Sequence, residues 1–257
     1  MAQRIAIGVD VGGSGIKAAG VDLKTGQFAS ERIRVPTPDP STPQAVLASI
    51  RRLVRRVLKD PDVPEDAAIG VGVPSVVLDG VAKLASNIDP AWIDFEVEAA
   101  LSQGLKRPVT VLNDADAAGL AEMRYGGGKD RQGVVVFLTL GTGVGSALFV
   151  DGKLVPNTEF GQMEIRGRAA ERRSAAAART KRGLSWKAWA TDLDEHIDRI
   201  DQLVWPNVIV LGGGVSKRSE KFLPRLTSRV PVVPATLLND AGIVGAALAA
   251  AEKLDQS

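Results

Sequence analysis

The sequence predicts an α/β protein built twice on one plan, two lobes with a cleft between them. Three observations carry this reading. Residues 5–17 (IAIGVDVGGSGIK) and 137–147 (FLTLGTGVGSA) each read as an apolar strand, a glycine-rich turn and a second strand. The β-β-β-α-β-α order around the first hairpin is echoed after the second. Apolar content of 45% and charged content of 24% over 257 residues describe a soluble globular composition with core enough for two domains of ordinary size.

In chain order, strands are expected near 4–10, 15–22 and 28–35, with a Thr25-Gly26 turn between the last two. A proline-rich loop, 36–43, leads into a helix over 43–59. There Val46, Ile50, Leu53, Val54 and Val57 recur at helical spacing with arginines opposite. A buried strand at 67–73 breaks at Pro74, and another at 108–112 ends in Asn113-Asp114. A small-residue helix over 115–124 follows, closed by Gly126-Gly127-Gly128. The second half restarts with strands 133–140 and 143–150, a hairpin at Asp151-Gly152, and a helical region from about 172. A continuous apolar strand, 207–211, meets Gly212-Gly213-Gly214. The chain closes on a small-residue helix from Asp240, suited to close packing. These elements place the lobes at 1–113 and 114–240, with the terminal helix, 241–257, packing on the first.

Composition excludes several chemistries. With no cysteine there is no disulfide and no thiolate metal site. The single histidine, His196, sits in Leu-Asp-Glu-His-Ile-Asp and reads as a solvated helix turn, which disfavours a Ser-His-Asp triad or a histidine zinc site. No run reaches membrane-helix length and the start leads straight into a strand, so a cytoplasmic protein without a membrane partner is expected. Net charge is +2, but Arg166, Arg168, Arg172, Arg173, Arg179, Lys181, Arg182 and Lys187 face only one acid, Glu171, over 166–187. That run reads equally as a solvated helix face or a polyanion surface. Aromatics are not interleaved through it, so nucleic acid is not the expected partner.

Glycine lets backbone N–H groups approach a phosphate closely, so two such turns point to a polyanion held between lobes and to phosphoryl transfer. Asp10, two residues before the first turn, reads either as a carboxylate orienting Mg2+ through water or as a cap on its own turn. Asp114 is the candidate for chemistry. A carboxylate at a strand-to-helix junction, where ligands collect in open α/β sheets, could accept the proton of an attacking hydroxyl. The competing role for Asp114 is to cap the helix it opens. Asn113 beside it could donate to a hydroxyl. Both common nucleotide folds are disfavoured: neither 141–145 nor 211–215 has G-x-G-x-x-G spacing, and no G-x-x-x-x-G-K-[ST] occurs.

Residues 10–17 (DVGGSGIK), 113–119 (NDADAAG), 140–146 (LGTGVGS) and 211–216 (LGGGVS), in that order, resemble the motifs of the ROK family of sugar kinases, in particular its polyphosphate glucokinase and glucomannokinase members. The resemblance implies an actin-like (ribonuclease-H-like) duplicated two-domain fold with an interdomain cleft. It implies a homodimeric kinase that uses polyphosphate and/or ATP with Mg2+, and no zinc, to phosphorylate the 6-hydroxyl of glucose or a related hexose. By position, Asp114 would be the base. Asp10, Gly12, Gly13, Ser14 and Lys17 would form the first phosphate loop, Gly141, Thr142 and Gly143 the second, and Gly213 and Gly214 the adenosine-side loop. Asn87, Glu159 and Glu171 would bind sugar. Two departures fall at the sugar: Gln162 stands where the family has histidine, and Ser75 where it has glycine. A changed sugar preference (mannose, an amino sugar or another polyol) and a non-catalytic sugar sensor are therefore the alternatives.

Overall fold

A computed structural model describes residues 5–85 and 88–255. Strands β1 (Ile5–Gly12), β2 (Gly15–Asp22), β3 (Gln27–Phe28) and β4 (Ile33–Val35) precede helix α1 (Pro43–Val57). Then come β5 (Ile69–Val73), the small hairpin β6 (Val77–Leu78) and β7 (Val81–Ala82), α2 (Val97–Leu105), β8 (Thr110–Asn113) and α3 (Asp114–Tyr125). The hairpin β9 (Val134–Leu140) and β10 (Val144–Val150) is followed by β11 (Lys153–Val155), β12 (Glu164–Ile165) and β13 (Arg168–Ala169). Last are α4 (Glu171–Ser174), α5 (Ala176–Lys181), α6 (Trp186–Val204), β14 (Val208–Gly212), β15 (Val232–Pro234) and α7 (Ala241–Asp255). The expected single strand over 28–35 is two short strands. Ala29–Arg32 lies between them, and Ser30 Oγ there accepts the Gly20 N–H at 2.8 Å.

Contacts divide the chain into Met1–Ala121 with Asp240–Ser257, and Glu122–Asn239. The line expected after Asn113 thus falls later, inside α3. The first turns of α3 stay with the sheet because Gly72 of β5 lies against Asp114 and Ala117.

The first unit's sheet runs β3-β2-β1-β5-β8, with β4 also on β2; β1, β5 and β8 are parallel and β1–β2 antiparallel. Side chains alternate between faces, and the sequence uses this in β1 (Ile7-Gly8-Val9-Asp10-Val11) and β5 (Ile69-Gly70-Val71-Gly72-Val73). The branched residues join one core with Val46, Ile50, Leu53 and Val54 of α1 and Leu101 of α2. The glycine face receives α7 almost backbone to backbone. A Cβ on Gly8 would sit 1.8 Å from the Ile243 carbonyl oxygen, and one on Gly70 1.8 Å from that of Ala246.

The second unit repeats the plan as β11-β10-β9-β14-β15, with β9–β10 antiparallel and β9, β14 and β15 parallel. Its core sets Val136, Leu138, Ile209 and Leu211 against Trp189, Leu193, Ile197 and Ile200 of α6. Phe222 stacks on Trp186 and meets Trp189 edge-on, with centroids 6.1 and 5.1 Å apart.

Candidate active site

In the first unit the candidate residues collect at the C-terminal end of the parallel strands. Asp10 pairs in register with Gly72 of β5, and Gly72 with Leu112 of β8. Two strand spacings thus separate Asp10 from the β8 end that leads into Asp114, roughly 10 Å. Lys17 faces Asp10 across the hairpin, and its Nζ donates to Asp10 Oδ2 at 2.8 Å. Asp10 is therefore an ion-pair partner and not a turn cap. In the turn itself Gly13 and Ser14 are exposed. Thr37 Oγ1 donates to the Gly12 carbonyl at 2.5 Å and Arg34 Nη2 to the Ser14 carbonyl at 2.7 Å. Those ties occupy the carbonyls, the groups that would repel a phosphate.

Asn113 caps α3. Asn113 Oδ1 accepts the Ala115 and Asp116 N–H groups at 2.8 and 3.1 Å, and its Nδ2 donates to the Ser75 carbonyl at 3.1 Å. Its oxygen and one N–H hold the strand-to-helix junction, and the side chain is buried. Asp114 opens the helix half-buried. Ser75 is also spent inside the protein. Its hydroxyl lies 2.6 Å from the Leu84 carbonyl and accepts the Leu84 N–H at 3.1 Å, and the residue is 2% exposed. The serine staples the 75–84 loop. Asn87 lies outside the described residues.

In the second unit the other sugar candidates meet. Glu171, the first residue of α4, accepts the Val144 N–H through Oε2 at 3.1 Å and the Gln162 side-chain N–H through Oε1 at 3.2 Å. Val144 follows the second glycine turn directly, so one carboxylate ties that turn to Gln162. Glu159 is half-buried beside them; burial, and then the neighbouring Glu171 charge, raise its pKa. In the turn, the Gly141 N–H donates to the Gly143 carbonyl, and the Ala177 N–H to the Gly141 carbonyl, both at 3.0 Å. Gly141 and Thr142 are exposed. Gly213 has φ +83° and no room for a Cβ, which would lie 2.5 Å from the Leu140 carbonyl oxygen. Only glycine fits there. Gly214, next to it, is exposed.

His196 is where sequence reading missed most. It is on a helix, α6, but fully buried rather than solvated. Nε2 lies 3.0 Å from the Phe160 carbonyl and Nδ1 2.9 Å from Ser174 Oγ. A neutral ring donating from Nε2 and accepting at Nδ1 fits both contacts. Burial lowers its pKa, opposed by the hydrogen bond to Phe160. Phe160 sits between Glu159 and Gln162, and Ser174 closes the short helix that Glu171 opens. One imidazole therefore fixes both segments that carry the sugar candidates. Glu122, also unflagged by sequence, is a buried carboxylate accepting the Gly127, Thr236 and Leu237 N–H groups at 2.8, 3.0 and 2.7 Å. In the basic run, Arg173 and Arg182 pair with buried Asp192, Arg166 pairs with Glu195, and Arg179 lies over the Trp186 ring. Half of its cations are thus committed within the fold.

The ROK family profile matches residues 6–166. The chain is also 46% identical to a polyphosphate glucokinase of Mycobacterium tuberculosis over 96% of its own length and 91% of that protein's. This chain belongs to the ROK family. Its structure superposes on the inorganic polyphosphate/ATP-glucomannokinase of Arthrobacter sp. strain KM with TM-score 0.94 and 46% identity, over 97% of this chain and 99% of that one. A ROK glucokinase from Streptomyces griseus in complex with glucose and AMPPNP matches at TM-score 0.82 and 24% identity, over 96% and 99%, which bears on fold alone. The fold is the actin-like ROK sugar-kinase fold.

Proposed function

We propose that this ROK protein is a hexose kinase that transfers a phosphoryl group from polyphosphate and/or ATP to the 6-hydroxyl of glucose or a close relative. The observation that carries the reading is its 46% identity, across 96% of the chain, to proteins named polyphosphate glucokinase. In the reaction the sugar oxygen attacks the terminal phosphorus and the bridging P–O bond to the leaving phosphate breaks. The hydroxyl proton passes to the Asp114 carboxylate. The exposed turns at Gly12–Ser14 and Gly141–Gly143 would hold the donor's phosphates through backbone N–H groups, with Lys17 as a nearby cation. Gly213 and Gly214 would take the nucleotide side when ATP is the donor. Glu159, Gln162 and Glu171, with Asn87, would hold the sugar.

A single strand-end carboxylate already paired with lysine does not make an all-protein metal cage, and the described residues hold no cluster of three or more His, Cys, Asp or Glu side chains fit for a metal. That suits Mg2+, which keeps most of its waters and binds chiefly to substrate phosphates. Asp10 would hold it through water, and the ion would offset charge on the phosphates. Among the described residues no helix is long and apolar enough to cross a membrane. A cytoplasmic location and a homodimer are parts of the same proposal.

A second reading, altered sugar preference, draws on the Gln162–Glu171 hydrogen bond, which gives the glutamine a fixed place beside two carboxylates. Both readings meet one experiment: initial rates with polyphosphate and ATP against glucose, mannose, glucosamine and N-acetylglucosamine, for wild type and Gln162→His. Turnover of glucose with polyphosphate is expected. A preference for another sugar that moves toward glucose in Gln162→His favours the second reading, and no transfer on any pair contradicts both.

A further inference from the structure

The outer face of α1 carries a charge pattern that the fold does not require. Its buried face (Val46, Leu47, Ile50, Leu53, Val54, Val57) suffices to dock the helix. Yet the element contains Arg51, Arg52, Arg55 and Arg56 and no acid, and Lys59 follows within a turn. With Ala48 these five cations line an open groove of about 520 Å3 that has no carboxylate in its wall. Arg51, Arg55 and Lys59 repeat at i, i+4, as do Arg52 and Arg56, so like charges stand about 6 Å apart along the axis. Such pairs repel and weaken a helix. Among the described residues none of the five has an ion-pair partner. Arg51 is half-buried against α2: a Cβ on Gly104 would lie 2.8 Å from its Cδ and Nε, and that Nε is buried without a hydrogen-bond partner. Arg55 reaches the Gly104 carbonyl only at 3.4 Å. The Arg51 stem is seated while the charged heads of all five stay without an acidic partner among the described residues.

We propose that this groove anchors inorganic polyphosphate, resting on the donor reading above. A linear chain of closely repeated phosphates complements a row of cations over two helical turns, and arginine suits phosphate geometry. The wall has no aromatic on which a base could stack, which disfavours single-stranded nucleic acid. Its only apolar member is Ala48, so it offers nothing to bury in a bilayer. A long polymer held here would present its remaining phosphates to the transfer site at raised effective concentration. A donor too short to fill both places would gain nothing.

The test uses the full chain with Arg52→Gln, Arg56→Gln and Lys59→Gln combined, which spares Arg51, half-buried against α2, and Arg55, which reaches the Gly104 carbonyl. Binding of end-labelled long-chain polyphosphate is followed by anisotropy across a salt series, and KM is measured for that polymer, tripolyphosphate and ATP. Losing three phosphate contacts should flatten log Kd against log salt by about 2. KM for the long chain should rise about tenfold, with kcat and the KM of tripolyphosphate and ATP within about twofold of wild type. The matching lysine variants, Arg52→Lys with Arg56→Lys, should keep long-chain binding. Unchanged long-chain binding, or an equal rise in KM for tripolyphosphate, overturns the proposal, as does tighter binding of single-stranded RNA than of polyphosphate of equal charge. A wild type that spends only ATP yet binds the long chain through α1 leaves the anchor standing and removes the donor reading. Polyphosphate turnover indifferent to α1 removes the anchor alone.

Discussion

Asn113 and Asp114 are adjacent, yet they divide the work of the strand-to-helix junction. The asparagine takes the cap, with two backbone N–H groups on its oxygen and the Ser75 carbonyl on its amide. His196 is a titratable group given wholly to structure. Its unfolded value is 6.5 and burial lowers it in the fold. Between the lowered value and 6.5 the unfolded chain holds more protons, so this residue's share of stability is present above that window and lost as pH falls through it. Glu159 has the opposite sign. Its raised pKa makes its share fall as pH rises above 4.5. In His196→Gln, which keeps a hydrogen-bonding side chain without ionising, the loss of urea-denaturation midpoint between pH 7.5 and 5.5 should be smaller than in wild type. Parallel profiles for the two proteins would show that His196 does not titrate with folding.

At the scale of elements, the alternation of branched residues and glycine in β1 and β5 decides which helix covers which face. α7 can approach because Gly8 and Gly70 present no Cβ to it, and its own Gly245 meets the Ala117 carbonyl of α3, where a Cβ would come within 1.6 Å. Gly70→Ala would force a Cβ to within 1.8 Å of the Ala246 carbonyl oxygen, an overpacking expected to cost about 3 kcal/mol. Gly13→Ala in the first turn meets nothing within 4 Å, so its stability should stay within about 0.5 kcal/mol of wild type. Urea denaturation of both variants checks this. Equal stability for the two would refute close packing of α7 as the reason for the glycine face.

On the scale of the whole molecule, the duplicated plan was legible because its signals are local. The period-2 alternation, the two glycine hairpins and the helical spacing of Val46 to Val57 each lie within one short window. What escaped depends on partners distant in sequence. His196 meets Phe160 36 residues away, Asn113 meets Ser75 38 away, and Glu122 meets Thr236 114 away. No local pattern shows that a polar side chain will be consumed so far along the chain. For the same reason the internal partners of Ser75 and Asn113 are not legible locally, whereas Gln162 and Glu171 do meet. The proposed proton removal by Asp114 is tested most directly by kcat of Asp114→Asn with glucose and polyphosphate beside calorimetric glucose binding. A kcat lower by about 10²–10⁴-fold, the range of general-base catalysis, is expected, with glucose affinity retained. Turnover near the wild-type rate would contradict it.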